Sequence, residues 1–140
     1  MSDPYELQRF VDAQNPIYER VLSELRGGRK KSHWMWFVFP QIEGLGRSEL
    51  SVRFAISGRQ EGQAYLDHAI LGPRLRECTA LVLKARARPI EQIFGSPDDM
   101  KFQSCMTLFD AVTPAAVFGE ALDAFFAGRR DQLTLDALAR

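Results

Sequence analysis

The chain has 140 residues, of which 46% are hydrophobic and 26% charged, the profile of an ordinary globular protein able to bury a core without staples. Lys+Arg and Asp+Glu both number 18, so the formal net charge is zero. That balance argues against a dedicated nucleic-acid binder, which carries a basic excess, though not against a local basic patch.

No apolar run approaches the roughly 18–20 residues of a membrane span, and the opening MSDPYELQRF lacks a basic-then-apolar signal pattern. Cys78 and Cys105 show no metal or disulfide-framework spacing. The expectation is a reduced cytoplasmic protein with one domain over residues 1–140, no membrane association and no cofactor.

Helical periodicity recurs along the chain. Leu7, Phe10 and Val11 follow an i, i+3, i+4 pattern that predicts a first helix over 4–13. Asn15-Pro16 signals a second, with Ile17, Val21, Leu22 and Leu25 inward and Gly27-Gly28 as its stop. HWMWFVFP (33–40) fits either a short strand, since Trp34, Trp36 and Val38 alternate, or a short buried helix capped by Ser32 and stopped by Pro40. Its length and lack of a hairpin partner favour helix.

Ser48 is placed to cap ELSVRF, and Ser57 with Gln60 resembles a capping box. Residues 73–86 carry Leu75, Cys78, Thr79, Val82 and Leu83 on one face, with Pro73 able to sit at the first helical position. PIEQIF follows as a short piece. Ser96 as cap, Pro97 next and Asp98-Asp99 in the first turn predict the start of a helix through Val112. Thr113-Pro114 repeats that signal for a helix bearing Phe118, Leu122 and Phe125, and a last short helix is expected from Asp131. The fold class predicted is all-α: six to eight short helices in one array, not a regular four-helix bundle.

Candidate functional residues cluster in two segments. Stepping at about 100° per residue sets Asp99, Gln103 and Asp110 on one polar side of the helix from Pro97. Lys101 falls on the opposite line with Cys105, Leu108 and Val112, and Asp98 and Ser104 lie within roughly 60° of it. A lysine on a buried face needs a partner or a path to water. Lys101 is therefore either paired structurally with Asp98 at i, i+3 or turned into a polar pocket that meets an anion.

The wall of such a pocket would be KKSHWMWFVFPQ. Most of its aromatics suit a core, while His33 and Gln41 bracket the run as polar residues that need partners if buried. GLGRS (44–48) could present backbone amides and Arg47 to an anion, but it lacks the dinucleotide fingerprint and the P-loop lysine, and a plain turn explains it as well. RGGRKKSH concentrates Arg26, Arg29, Lys30 and Lys31, as a solvated loop or a phosphate-contacting patch. An inward mid-helix Cys105 reads as a small hydrophobe rather than a nucleophile paired with His33. His68 has no metal spacing.

Taken together, HWMWFVFPQ, GLGRS, LGPRLRECT and SPDDMKFQSCMTLF, in this order, resemble domain-of-unknown-function family 1810 from about Leu7 to Phe126. The resemblance implies a mainly α-helical single domain and favours helix for the tryptophan segment. It implies no activity. Some members carry a calpastatin label, yet nothing in this chain looks like a disordered protease-inhibitor repeat.

The preferred expectation is a pocket for a small polar ligand, phosphorylated or nucleotide-like, between the 33–41 and 98–109 segments. Lys101 and Arg47 would meet the anion, Asp98, Gln41, His33 and Ser104 would supply polar contacts, and Trp34 or Trp36 would stack. The alternatives are a protein-interaction module with an apolar patch around Phe125 and Phe126, and an enzyme using His33 and Asp98 as acid and base.

Overall fold

The computed structural model describes residues 2–140. Ten helices follow in chain order: α1 (Gln8–Gln14), α2 (Tyr18–Arg26), α3 (Met35–Val38), α4 (Glu49–Arg53), α5 (Arg59–Asp67), α6 (Leu71–Lys84), α7 (Ile90–Phe94), α8 (Asp98–Val112), α9 (Val117–Phe126) and α10 (Gln132–Leu138). Seven have seven residues or more, so the six to eight expected helices are exceeded only by very short turns. Among the described residues no strand forms, and the extended pairing is limited to an isolated bridge between Ile42 and Ile56.

The architecture is organised around α8, against which α5, α7, α9 and α10 all pack. Its run Ser104–Asp110 is buried without a break, so the polar side expected at Gln103 and Asp110 is covered rather than solvated. Polar contacts satisfy it. Gln103 Nε2 donates to the Arg129 carbonyl at 3.0 Å, Ser104 Oγ to Asp131 Oδ2 at 3.1 Å, and the Asp131 amide to Thr107 Oγ1 at 2.9 Å. Asp110 Oδ2 takes Arg130 Nη2 at 2.9 Å. These contacts fasten the 127–131 turn and α10 to α8.

A second layer, α6, lies against α2, α5 and α9, and its five predicted inward residues are all buried. Phe94, Phe102 and Phe39 form an aromatic knot, with Phe94 and Phe102 stacked at 4.9 Å and Phe39 edge-on to Phe102 at 5.1 Å. Burying a ring of this size contributes about 1.5–3 kcal/mol, with more from favourable ring geometry.

Several predicted boundaries move for identifiable reasons. The tryptophan segment is helical but only as Met35–Val38, and Ser32 does not cap it; the Ser32 hydroxyl donates to Glu24 Oε2 at 2.6 Å instead. α6 begins at Leu71, placing Pro73 third rather than first. α5 begins at Arg59, so the acid that reaches back is Glu61, not Gln60: Glu61 Oε1 accepts from the Ser57 amide at 3.0 Å and hydroxyl at 2.8 Å.

Ser96 gives α8 no cap, because Pro97 occupies that position and Asp99 N bonds to Gly95 O. Thr113 ends α8 rather than starting α9, which begins at Val117 after a turn with Ala115 at φ 62°. Ser48 caps α4 as expected, accepting from Ser51 N, and the last helix starts after Asp131, which caps it by accepting from Thr134 N.

Candidate functional site

The loop entering α3 is set by one buried carboxylate. Glu24 on α2 accepts through Oε1 from the Lys31 amide at 2.7 Å, the Ser32 amide at 3.1 Å and the Trp34 indole at 2.9 Å. Burial pushes its carboxyl up, but the Ser32 hydroxyl, the Lys31 amide, the Trp34 indole and the Ser32 amide outweigh it and pull the pKa down to about 2. Trp34 is thereby turned inward, 1% exposed, against Phe39 and Phe94. It belongs to the core and offers no face to a ligand.

Two residues on, Trp36 lies half-buried at the rim, and α8 approaches it with its first turn. Asp98 bridges two lysines: Oδ2 meets Lys30 Nζ at 2.9 Å and Oδ1 meets Lys101 Nζ at 3.4 Å. Each lysine also stands over a tryptophan, Lys30 at 5.2 Å from Trp34 and Lys101 at 5.0 Å from Trp36, within cation–π range. Sequence reasoning anticipated the Lys101–Asp98 pair but missed Lys30, whose side chain is only 8% exposed. The signal available was its place beside the tryptophan segment; the basic run around it read as solvated loop.

Beside this cluster is a niche lined by Met35, Trp36, Phe39, Gln41, Ser51, Phe54 and Lys101. Gln41 is fixed there by its backbone, whose carbonyl accepts from Ile56 N at 2.9 Å, while no side-chain hydrogen bond of Gln41 is formed within the protein. The Trp36 indole Nε1 is buried and has no hydrogen-bond partner in the protein. The cavity volume is about 10 Å³, room on the order of one water molecule. A whole nucleotide does not fit inside it.

Of the eight expected site residues, the niche and its rim bring together Trp36, Gln41, Lys101 and Asp98. Trp34 is in the core. Ser104 is buried toward α10, bonded to Asp131 and to the Met100 carbonyl. Arg47 is exposed and absent from the niche lining; in GLGRS the structural work is done by Ser48 as a cap. His33 is exposed, and the ion pairs that Asp98 makes within 4.0 Å are with Lys30 and Lys101.

Phe125 and Phe126 are half-buried, each with its ring 6.4 Å from that of Phe102. Burial raises the Cys105 thiol well above its ordinary pKa, the opposite of nucleophile activation. Among the described residues no three His, Cys, Asp or Glu side chains group as metal ligands, and no helix is long and apolar enough to cross a membrane.

A family described as proteins of unknown function, DUF1810, matches residues 4–138. The chain belongs to the DUF1810 family. It is 54% identical to the conserved hypothetical protein Rv1873 from Mycobacterium tuberculosis, whose crystal structure superposes with a TM-score of 0.97 and covers 99% of both chains. No curated protein matches. The helical fold and near-complete coverage expected of a DUF1810 member are thus present, and the family description carries no activity.

Proposed function

We propose that this DUF1810 chain is a single cytosolic domain that binds a small polar molecule, by taking a carboxylate, phosphate or carbonyl headgroup against Lys101 in the Trp36–Gln41 niche. The observation that carries the reading is the orphaned Trp36 indole N–H. A buried donor without a partner costs roughly 1–3 kcal/mol, and it lies on a residue that shares its niche with a lysine and an unbonded amide. All three are hydrogen-bond donors, so the complementary group is an acceptor or anion. The small volume admits a single headgroup oxygen, with the rest of the ligand lying outside over Ser51 and Phe54.

The test is a thermal-shift screen of wild type and Lys101→Met against small carboxylic acids, inorganic phosphate, sugar phosphates and nucleotides. A true ligand at a hundred times its Kd contributes about 2.7 kcal/mol, a shift of several degrees for a domain of this size. The expected result is a shift in wild type that Lys101→Met loses. If nothing shifts wild type and Lys101→Met is equally stable, Lys101 serves only Asp98 and the reading falls.

A further inference from the structure

The largest concentration of unpaired charge lies away from that niche. The loops leaving α2 and α6 lie side by side, bringing Arg26, Arg29 and Lys30 to the same surface as Lys84 and Arg88. Arg88 ties the two loops: its Nη1 donates to the Gly28 carbonyl at 3.4 Å. Gly28 turns the loop at a φ of +74°, a conformation that favours glycine.

Lys30 is neutralised by Asp98. Among the described residues none of Arg26, Arg29, Lys31, Lys84, Arg86 and Arg88 has a carboxylate within 4.0 Å. In a chain of zero net charge this is a pronounced local imbalance. Helix C-termini attract cations, but Arg86, which donates to the Leu83 carbonyl at 3.1 Å, already serves α6. Arg26 and Lys84 donate no side-chain hydrogen bond within the protein.

Two clefts open on this surface. One, of about 400 Å³, has a floor of Leu25, Leu81 and Ala85 and rims of Arg26, Lys84 and Arg88. The other, of about 370 Å³, is lined by Arg29, Lys30, Arg88 and the 91–95 segment, whose Glu91 is the one carboxylate in its lining. Arg88 belongs to both, so the cations line a continuous track rather than a single point. Each cleft is of the size that holds small molecules, roughly 300–1,000 Å³. No exposed aromatic lines either one, because Phe94 is 6% exposed. A single-stranded nucleic acid site would use such rings to stack bases.

We infer that this track binds a ligand through a chain of linked phosphates, gripped by Arg26, Lys84 and Arg88, with no recognition of a base. Arginine forks suit phosphate oxygens bidentately, and three spaced cations match a chain better than a lone phosphate. The chain of phosphates could arrive as inorganic triphosphate or on a nucleoside triphosphate.

The experiment is calorimetric titration of the full chain with inorganic triphosphate, a nucleoside triphosphate and inorganic phosphate, at low and physiological salt. Inorganic and nucleoside triphosphate are expected to bind within about threefold of each other, both far more tightly than phosphate, and both more weakly as salt rises. Arg26→Gln and Lys84→Gln, which remove no internal hydrogen bond, should each weaken binding on the order of tenfold. Arg140→Gln, outside both clefts, should leave it unchanged. Absence of triphosphate binding, an affinity unmoved in the Arg26→Gln/Lys84→Gln double variant, or binding of the nucleoside triphosphate alone would overturn the inference.

Discussion

Lys101 holds its ammonium 5.0 Å above the ring of Trp36 and shares the Asp98 carboxylate with Lys30. The sharing is unequal. Lys30 is nearer to Asp98 and only 8% exposed, against 25% for Lys101.

Lys30→Met is therefore expected to destabilise the protein by about 2 kcal/mol, below the roughly 3–5 kcal/mol of a fully buried broken pair, because Asp98 keeps Lys101. Lys101→Met should change stability by less than about 1 kcal/mol. Urea denaturation of both variants checks the order; a larger loss at Lys101 would make it the main partner of Asp98.

Glu24 predicts a pH dependence. Its folded pKa of about 2 lies below the ordinary 4.5, so its stabilisation is complete above the unfolded value and fades as pH falls from about 4.5 towards about 2. Glu24→Gln should lose about 1–3 kcal/mol at neutral pH, since one carboxylate oxygen becomes a donor facing other donors. The gap between wild type and variant, measured by denaturation at a series of pH values, should narrow through that window. A constant gap would mean that the charge of Glu24 is not what anchors the loop.

Gly119 lets α9 lie close on α8: a Cβ there would stand 2.8 Å from Asp110 Oδ1. Asp110 cannot retreat freely, being held by Arg130. Gly119→Ala is expected to destabilise by roughly 1–3 kcal/mol, as overpacking does, despite alanine's better helix propensity. A melting temperature equal to or above wild type would show that the α8–α9 contact yields.

The two thiols should be silent in the native protein. Burial pushes Cys78 up to about 12 and Cys105 also upward. A disulfide-exchange reagent at pH 8 should label neither until denaturant is added, and then both. Rapid native labelling of Cys105 would reopen it as a reactive group.

Where one helical face meets the core and another meets water, the period was readable: α6 with its five inward residues and α2 with its glycine stop; Ser48 was readable as the cap of the exposed α4. α8 misled because it is enclosed along its middle, from Ser104 to Asp110. Its Gln103 and Asp110 looked solvated, but their partners Arg129 and Arg130 come from a turn some twenty residues on, a pairing that no local pattern encodes. The candidate site was half legible for the same reason. Lys101 falls on α8, whose phase is readable, and Trp36 and Gln41 on the segment read as the wall beside it, whereas the inward turn of Trp34 depends on Glu24, ten residues earlier on α2.

The attachment of α10 is largely polar, with Ala137 and Leu138 packed only part-buried against the core. Thr134 is its one buried residue, and its fastening to α8 runs through Ser104, Thr107, Asp110 and Asp131. Water can replace such bonds one for one without a large apolar surface being exposed, so the C-terminal segment can open while the aromatic knot stays shut. Backbone amides of residues 132–138 should accordingly exchange with deuterium ahead of those in α8. The chain end thus behaves as a hasp whose release precedes, and does not require, unfolding of the rest.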